Sequence, residues 1–125
     1  MRKLLLAILI GVSPAKVVAA PLTEYEINEI LLAVWACYTP AFPLLDVTIK
    51  VSFEISDVGK VDESSIQMVE PTSGNNFAAI RTFEAAKLAI LRCQASEGYQ
   101  FSREKREYWQ NLELEFGPTM VSWPN

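Results

Sequence analysis

The sequence predicts an α+β domain of two layers, with a three-stranded antiparallel sheet and helices packed on one of its faces. Two observations predict this class. Residues 46–56 alternate between apolar and polar side chains, as a half-buried strand does, and residues 77–95 form an Ala-rich run without Gly or Pro, as a helix does. With a helix before the first strand, a second strand after it and a third near the end, the predicted order is α-β-β-α-β.

Residues 1–20 have the organisation of a signal peptide. A basic start precedes an apolar run over residues 4–12, and small residues follow it. We favour cleavage after Ala19, because cleavage after Ala20 would leave Pro21 at the new N-terminus. The apolar run is too short to span a bilayer comfortably, and an uncleaved inner-membrane anchor is the alternative. We therefore expect export to the periplasm, with no stable membrane anchor after cleavage.

The rest of the chain is expected to form one domain, residues 21–118, followed by a tail, residues 119–125. Removal of the signal would leave eight Lys and Arg against fifteen Asp and Glu, a formal charge of −7. Nucleic acids and anionic membrane surfaces are therefore not expected as partners, because both require clustered cations.

The chain contains no histidine and no Gly-rich phosphate loop. Without histidine, the usual nucleophilic arrangements built on Ser or Cys are missing. We expect a protein that is not an enzyme, with no cofactor, no metal and no small-molecule substrate. A hydrolase that works through two close carboxylates is a third hypothesis, which requires a cleft holding both acids.

The first helix is expected over residues 24–38. Thr23 and Glu26 have the spacing of a capping box at its start, and Pro40 ends the run. Its apolar side chains recur at helical intervals and form one stripe. The members of this stripe are Ile27, Ile30, Leu31, Val34, Trp35 and Tyr38.

Three strands are expected after this helix. The first carries its apolar residues on one face and turns at Gly59, and residues 61–70 return as the second strand. The start of that second strand, residues 62–65, is a poor strand former, so its pairing is expected to fray. In the third strand Leu112, Leu114 and Phe116 alternate with Asn111, Glu113 and Glu115, and Gly117-Pro118 ends it.

The second helix is expected to face the core through Ile80, Phe83, Ala86, Ile90 and Cys93, which share one stripe. Export would place both cysteines in an oxidising compartment, where pairing is the default, so we expect a disulfide between Cys37 and Cys93. The large aromatic side chains are expected in the core, except that Trp109 lies in a polar segment, where its ring either packs over the end of the sheet or is available to a partner. These side chains are Trp35, Tyr38, Phe53, Phe77, Phe83, Tyr108, Trp109 and Phe116.

A three-stranded sheet has two edges with unpaired backbone groups. On the third strand, Glu113 and Glu115 point outward, which is consistent with protection against aggregation. The same strand is equally consistent with a docking edge, where an extended peptide adds a fourth strand. The sequence does not distinguish between these two roles.

Several short motifs follow one another between Ile27 and Pro118, and their order and spacing resemble the C-terminal domain of TolA. That domain belongs to the TonB/TolA C-terminal group, and the similarity is greatest to alphaproteobacterial forms. The motifs are Trp35-Ala36-Cys37, Asp57-x-Gly59-Lys60-Val61, Ser73-Gly74 before Phe77, Ala85-Ala86, Ala89-Ile90, Cys93-Gln94, Trp109 and Leu112-x-Leu114-x-Phe116-Gly117-Pro118.

This resemblance implies a periplasmic module of the Tol-Pal cell-envelope system that binds the N-terminal segment of a TolB-like protein by sheet extension. It also implies the family's disulfide, at Cys37 and Cys93. TolA proteins carry a transmembrane helix and a long stalk, whereas this domain follows its leader almost directly, so an energy-coupling role is not expected. The alternative is a secreted binding or inhibitory protein with an unrelated target. The partner-binding edge strand carries over to Asn111, Leu112, Glu113, Leu114, Glu115 and Phe116.

Overall fold

The computed structural model of the chain describes residues 21–40, 46–71, 76–94 and 98–124. Within these ranges the α-helices are Glu24–Trp35 (α1), Asn76–Arg92 (α2) and Arg106–Trp109 (α3). The strands are Ile49–Glu54 (β1), Gln67–Pro71 (β2), Asn111–Phe116 (β3) and Val121–Ser122 (β4). The fold is therefore mixed α+β, as predicted. The predicted signal peptide lies outside the described residues.

The described strands form one antiparallel sheet of four strands in the order β2-β1-β3-β4, so the prediction of three strands was wrong. The additional strand, β4, comes from the predicted tail. It forms because the Gly117 N–H donates to the Met120 carbonyl at 2.9 Å and closes a turn that brings Val121 opposite Phe116. The C-terminal segment therefore belongs to the sheet.

The core lies against one face of this sheet. On β1 the residues Ile49, Val51 and Phe53 are buried, and they pair in register with Phe116, Leu114 and Leu112 of β3, which are also buried. The buried residues of α1 and α2 belong to the same hydrophobic cluster. Each fully buried aliphatic side chain contributes roughly 1.5 to 3 kcal/mol to folding, so this layer is the main source of stability.

The hairpin after β1 differs from the prediction near its turn. The second strand begins at Gln67, and a 3₁₀ turn, Glu63–Ser65, occupies the stretch in which fraying was expected. The Asp62 side chain stabilises this turn by accepting from the Ser64 N–H at 3.1 Å. A single bridge between Ile55 and Val61 still closes the hairpin.

Both long helices bury a narrower stripe than the periodicity predicts. The capping box at Thr23 and Glu26 is present, but Trp35 is half exposed. On α2 the predicted core residue Ile80 is exposed, and so is Phe77. The reason is that the small side chains of α2 contact the sheet, so the large side chains Phe77 and Ile80 lie on the exposed side of the helix. The buried residues of α2 are Ala78, Ala79, Thr82, Ala86, Ala89 and Ile90.

The predicted disulfide between Cys37 and Cys93 is present, with 5.7 Å between the two Cα atoms. It joins the end of α1 to the end of α2. Trp109 is fully buried, although its segment is polar. Its indole N–H donates to the Ser102 carbonyl at 2.7 Å, and its ring stacks on Phe101 with 4.8 Å between centroids.

Candidate partner-binding edge

The strand predicted to be an edge, Asn111–Phe116, lies inside the sheet. It pairs with β1 along its whole length and with β4 at Glu115 and Phe116. At those two residues the edge prediction was therefore wrong, because the turn at Gly117 places β4 beside them. Within this strand, residues 111–114 have β1 as their only neighbour among the described strands.

The outermost strand on this side is β4, and its outer backbone groups follow from its inner hydrogen bonds. Met120 accepts from Gly117 on the inner side, and Ser122 pairs with Glu115. Backbone groups of successive residues point to opposite sides of a strand, so the N–H and C=O groups of Val121 and Trp123 point outward. No described strand pairs with this outer side, which is therefore an open edge.

An apolar groove lies beside this edge, between α1 and β4. Its volume is about 360 Å³. Three large apolar side chains are exposed in it: Leu32 by 57%, Trp35 by 51% and Met120 by 59%. The groove is lined by Asn28, Leu31, Leu32, Trp35, Met120 and Val121. Apolar side chains gathered at an open edge are the usual property of a protein-binding surface.

Two aromatic side chains hold the walls of the apolar groove together. The Trp35 indole N–H donates to the Thr119 carbonyl at 3.2 Å, and the Tyr38 hydroxyl donates to the Gly117 carbonyl at 2.7 Å. The Tyr38 ring also meets Phe116 edge-on, with 5.2 Å between centroids. Burial raises the pKa of Tyr38 to about 12. The end of α1 is thus attached directly to the turn before β4.

The opposite edge of the sheet, the outer side of β2, is interrupted. The register between β1 and β2 shifts at Lys50 and Val51, which marks a bulge, and β2 ends at Pro71. A bulge and a proline are two devices that prevent further strand pairing, because they twist the strand and remove an N–H. The β4 edge is therefore the better candidate for strand addition.

Two other cavities contain pairs of carboxylates, as a hydrolase would require. One, of about 320 Å³, contains Glu26 and Glu29. The Glu26 carboxylate accepts from Lys105 at 2.8 Å and from the Thr23 N–H at 2.7 Å, and these contacts lower its pKa. The other contains Glu54 together with Asp62, which caps the 3₁₀ turn. In each cavity one acid already has structural partners.

The apolar groove was missed at the sequence level. Trp35 was assigned to the core stripe, and Met120 and Val121 were assigned to the tail. One signal was present: Leu32 is a large apolar residue outside the core stripe, three positions before Trp35, so the two share an exposed side of α1.

No protein-family model, curated protein or solved structure matches the chain. The resemblance to the TolA C-terminal domain therefore stays a prediction from the order of the sequence motifs. Within the described ranges, no helix has the length and apolar character needed to cross a membrane. The same ranges contain no group of three or more side chains of the types that ligate metals.

Proposed function

We propose that this chain is a protein-interaction module of the periplasm, similar to the TolA C-terminal domain. It binds an extended segment of an envelope protein, of the TolB type, by adding that segment as a strand beside β4. The role belongs to a Tol-Pal-type system for envelope integrity, with the domain acting as an exported binder. The signal-like leader and the order of the motifs support this placement.

The observation that carries the proposal is an open strand edge with an apolar groove directly beside it. In strand addition, main-chain hydrogen bonds give affinity, and pockets for alternate side chains give specificity. The outward groups of Val121 and Trp123 offer the hydrogen bonds, and the groove receives every second side chain of the added segment. In this arrangement the helices stay on one face of the sheet.

The test is an amide chemical-shift titration of the oxidised domain with the N-terminal peptide of the TolB protein from the same organism. We expect shifts at β4 and along the groove side of α1. Leu32→Gln should weaken binding about tenfold or more, because it places an amide in the groove. Leu88→Gln is the matched control, since Leu88 is a similarly exposed leucine, by 48%, on α2.

A second set of peptides tests the backbone pairing. N-methylation at alternate residues blocks one side of an extended peptide, so one methylated pattern should abolish binding and the pattern shifted by one residue should preserve it. Equal weakening by both patterns, or by both leucine variants, would contradict strand addition at β4. A peptide that causes no shifts at millimolar concentration would favour the alternative, a secreted binder of an unrelated target.

A further inference from the structure

The elements that form the β4 edge and its groove carry charges of only one sign. Helix α1 contains Glu24, Glu26 and Glu29, of which Glu26 and Glu29 line one of the other cavities described above, and β3 contains Glu113 and Glu115. Neither of these two elements contains a Lys or Arg, and residues 117–124 contain no charged residue. The surface beside the open edge is therefore acidic.

Most of these carboxylates are not neutralised locally. The ion pair that the described residues form joins Glu26 to Lys105. Lys50 lies opposite Glu115 in register, without an ion pair between them, and Glu113 lies opposite the uncharged Ser52. A partner with cationic side chains would therefore meet two carboxylates, those of Glu113 and Glu115, that no ion pair engages.

The register fixes which partner residues would meet these acids. Ser122 is opposite Glu115, and its side chain shares the polar face of the sheet. An added residue opposite Ser122 would lie about 10 Å from Glu115, two strand spacings away. Ser122 is too small to separate them, so a Lys or Arg at that position can reach the carboxylate. Glu113 lies two residues before Glu115 on β3. The neighbouring polar-face residue of the added strand, on that side, is therefore the one closer to Glu113.

The residues between these two positions of the added strand point to the other face, where the apolar groove lies. We propose that the segment bound at this edge is a basic amphipathic strand, in which Lys or Arg alternates with apolar residues. This inference rests on the strand addition proposed above, and it adds the chemical class of the partner. The cations face Glu113 and Glu115, while the apolar side chains enter the groove.

The experiment uses three synthetic nonapeptides with identical apolar residues at alternate positions and Lys, Gln or Glu at the others. Binding is followed by amide chemical shifts at low and at high salt. We expect the Lys peptide to bind at least about tenfold more tightly than the Glu peptide at low salt. High salt should remove most of this difference, because it screens exposed charges.

A variant with both Glu113→Gln and Glu115→Gln should weaken binding of the Lys peptide about three- to tenfold, the effect of two exposed ion pairs, and leave the Gln peptide unaffected. Glu84→Gln, on the outer face of α2, removes a charge away from the edge and should change neither. Equal affinities of the Lys and Glu peptides, with shifts at β4, would overturn the charge preference and leave strand addition standing. If none of the three peptides shifts β4, both proposals fail.

Discussion

Two buried tyrosines connect the helices to distant backbone. The Tyr38 hydroxyl donates to Gly117, and the Tyr99 hydroxyl donates to Ile90 at 2.7 Å. A phenol in such a site must stay neutral, because the phenolate would lose its solvation and could no longer donate. Burial accordingly raises the pKa of both groups, that of Tyr38 to about 12.

The raised pKa of Tyr38 predicts a loss of stability at alkaline pH. The unfolded tyrosine ionises near pH 10, whereas the folded one keeps its proton to about pH 12. The stability is thus complete below pH 10 and falls between pH 10 and 12, by up to about 1.4 kcal/mol per pH unit. Denaturant unfolding at pH 8, 10 and 11 measures it. The stability of the Tyr38→Phe variant should fall less steeply with pH. Identical slopes for the variant and the parent would contradict the assignment of this loss to Tyr38.

At the scale of elements, the sequence predicted those helices and strands that interactions between nearby residues specify. The capping box at Thr23 and the alternation in β3 specify their elements within a few residues, so both were predictable. The buried face of α2 was predicted only in part: Ala86 and Ile90 are buried as expected, whereas Ile80 is exposed because contact with the sheet selects small residues. Strand β4 was also missed, since two residues carry no periodicity and the pairing depends on the turn at Gly117.

The hairpin turn after β1 and the segment before α3 touch through glycine backbones. Gly59 has φ +86° and Gly98 has φ +90°, and the Gly59 carbonyl accepts from the Tyr99 N–H at 2.7 Å. A Cβ on Gly59 would collide with the Tyr99 carbonyl. This contact therefore requires glycine for both its backbone conformation and its lack of a side chain.

Gly59→Ala should destabilise the protein by about 2 kcal/mol or more, through backbone strain together with the steric collision. The measurement is the midpoint of thermal or denaturant unfolding. Gly117→Ala is the matched control, because an added Cβ there meets its nearest heavy atom at an ordinary 3.6 Å. A loss of stability in Gly117→Ala as large as that in Gly59→Ala would refute this explanation.

At the scale of the whole molecule, the disulfide is a covalent constraint between distant parts of the chain. Cys37 and Cys93 are 56 residues apart in sequence. Closing a loop of this length stabilises the folded state by about 4 kcal/mol in the chain-entropy model. Cys37→Ser with Cys93→Ser should therefore lower Tm by about 10 °C or more. Reductant should lower the Tm of the parent similarly and leave the double variant unchanged; equal melting of parent and variant under oxidising conditions would show that the bridge adds nothing.

The sequence predicted the type of candidate site, a sheet edge, but not its position or its apolar groove. The sequence indicated a sheet edge near the C-terminus, and in the structure β4 covers that edge at Glu115 and Phe116 and leaves residues 111–114 of β3 uncovered. The apolar groove is a tertiary feature, because it needs α1 and residues 120–121 side by side. No pattern within either segment specifies this contact.

The attachment of α1 at both of its ends has a further consequence. Thr23 and the Glu26–Lys105 ion pair hold its first turn, while the disulfide and Tyr38 hold its end. The helical wall of the groove is therefore preorganised, and a bound segment would lose its own conformational entropy without also having to order the receptor. A wall fixed in this way cannot widen for a bulkier residue. If a segment binds at this surface as proposed, its selection would include side-chain size, because a bulkier residue would be excluded sterically.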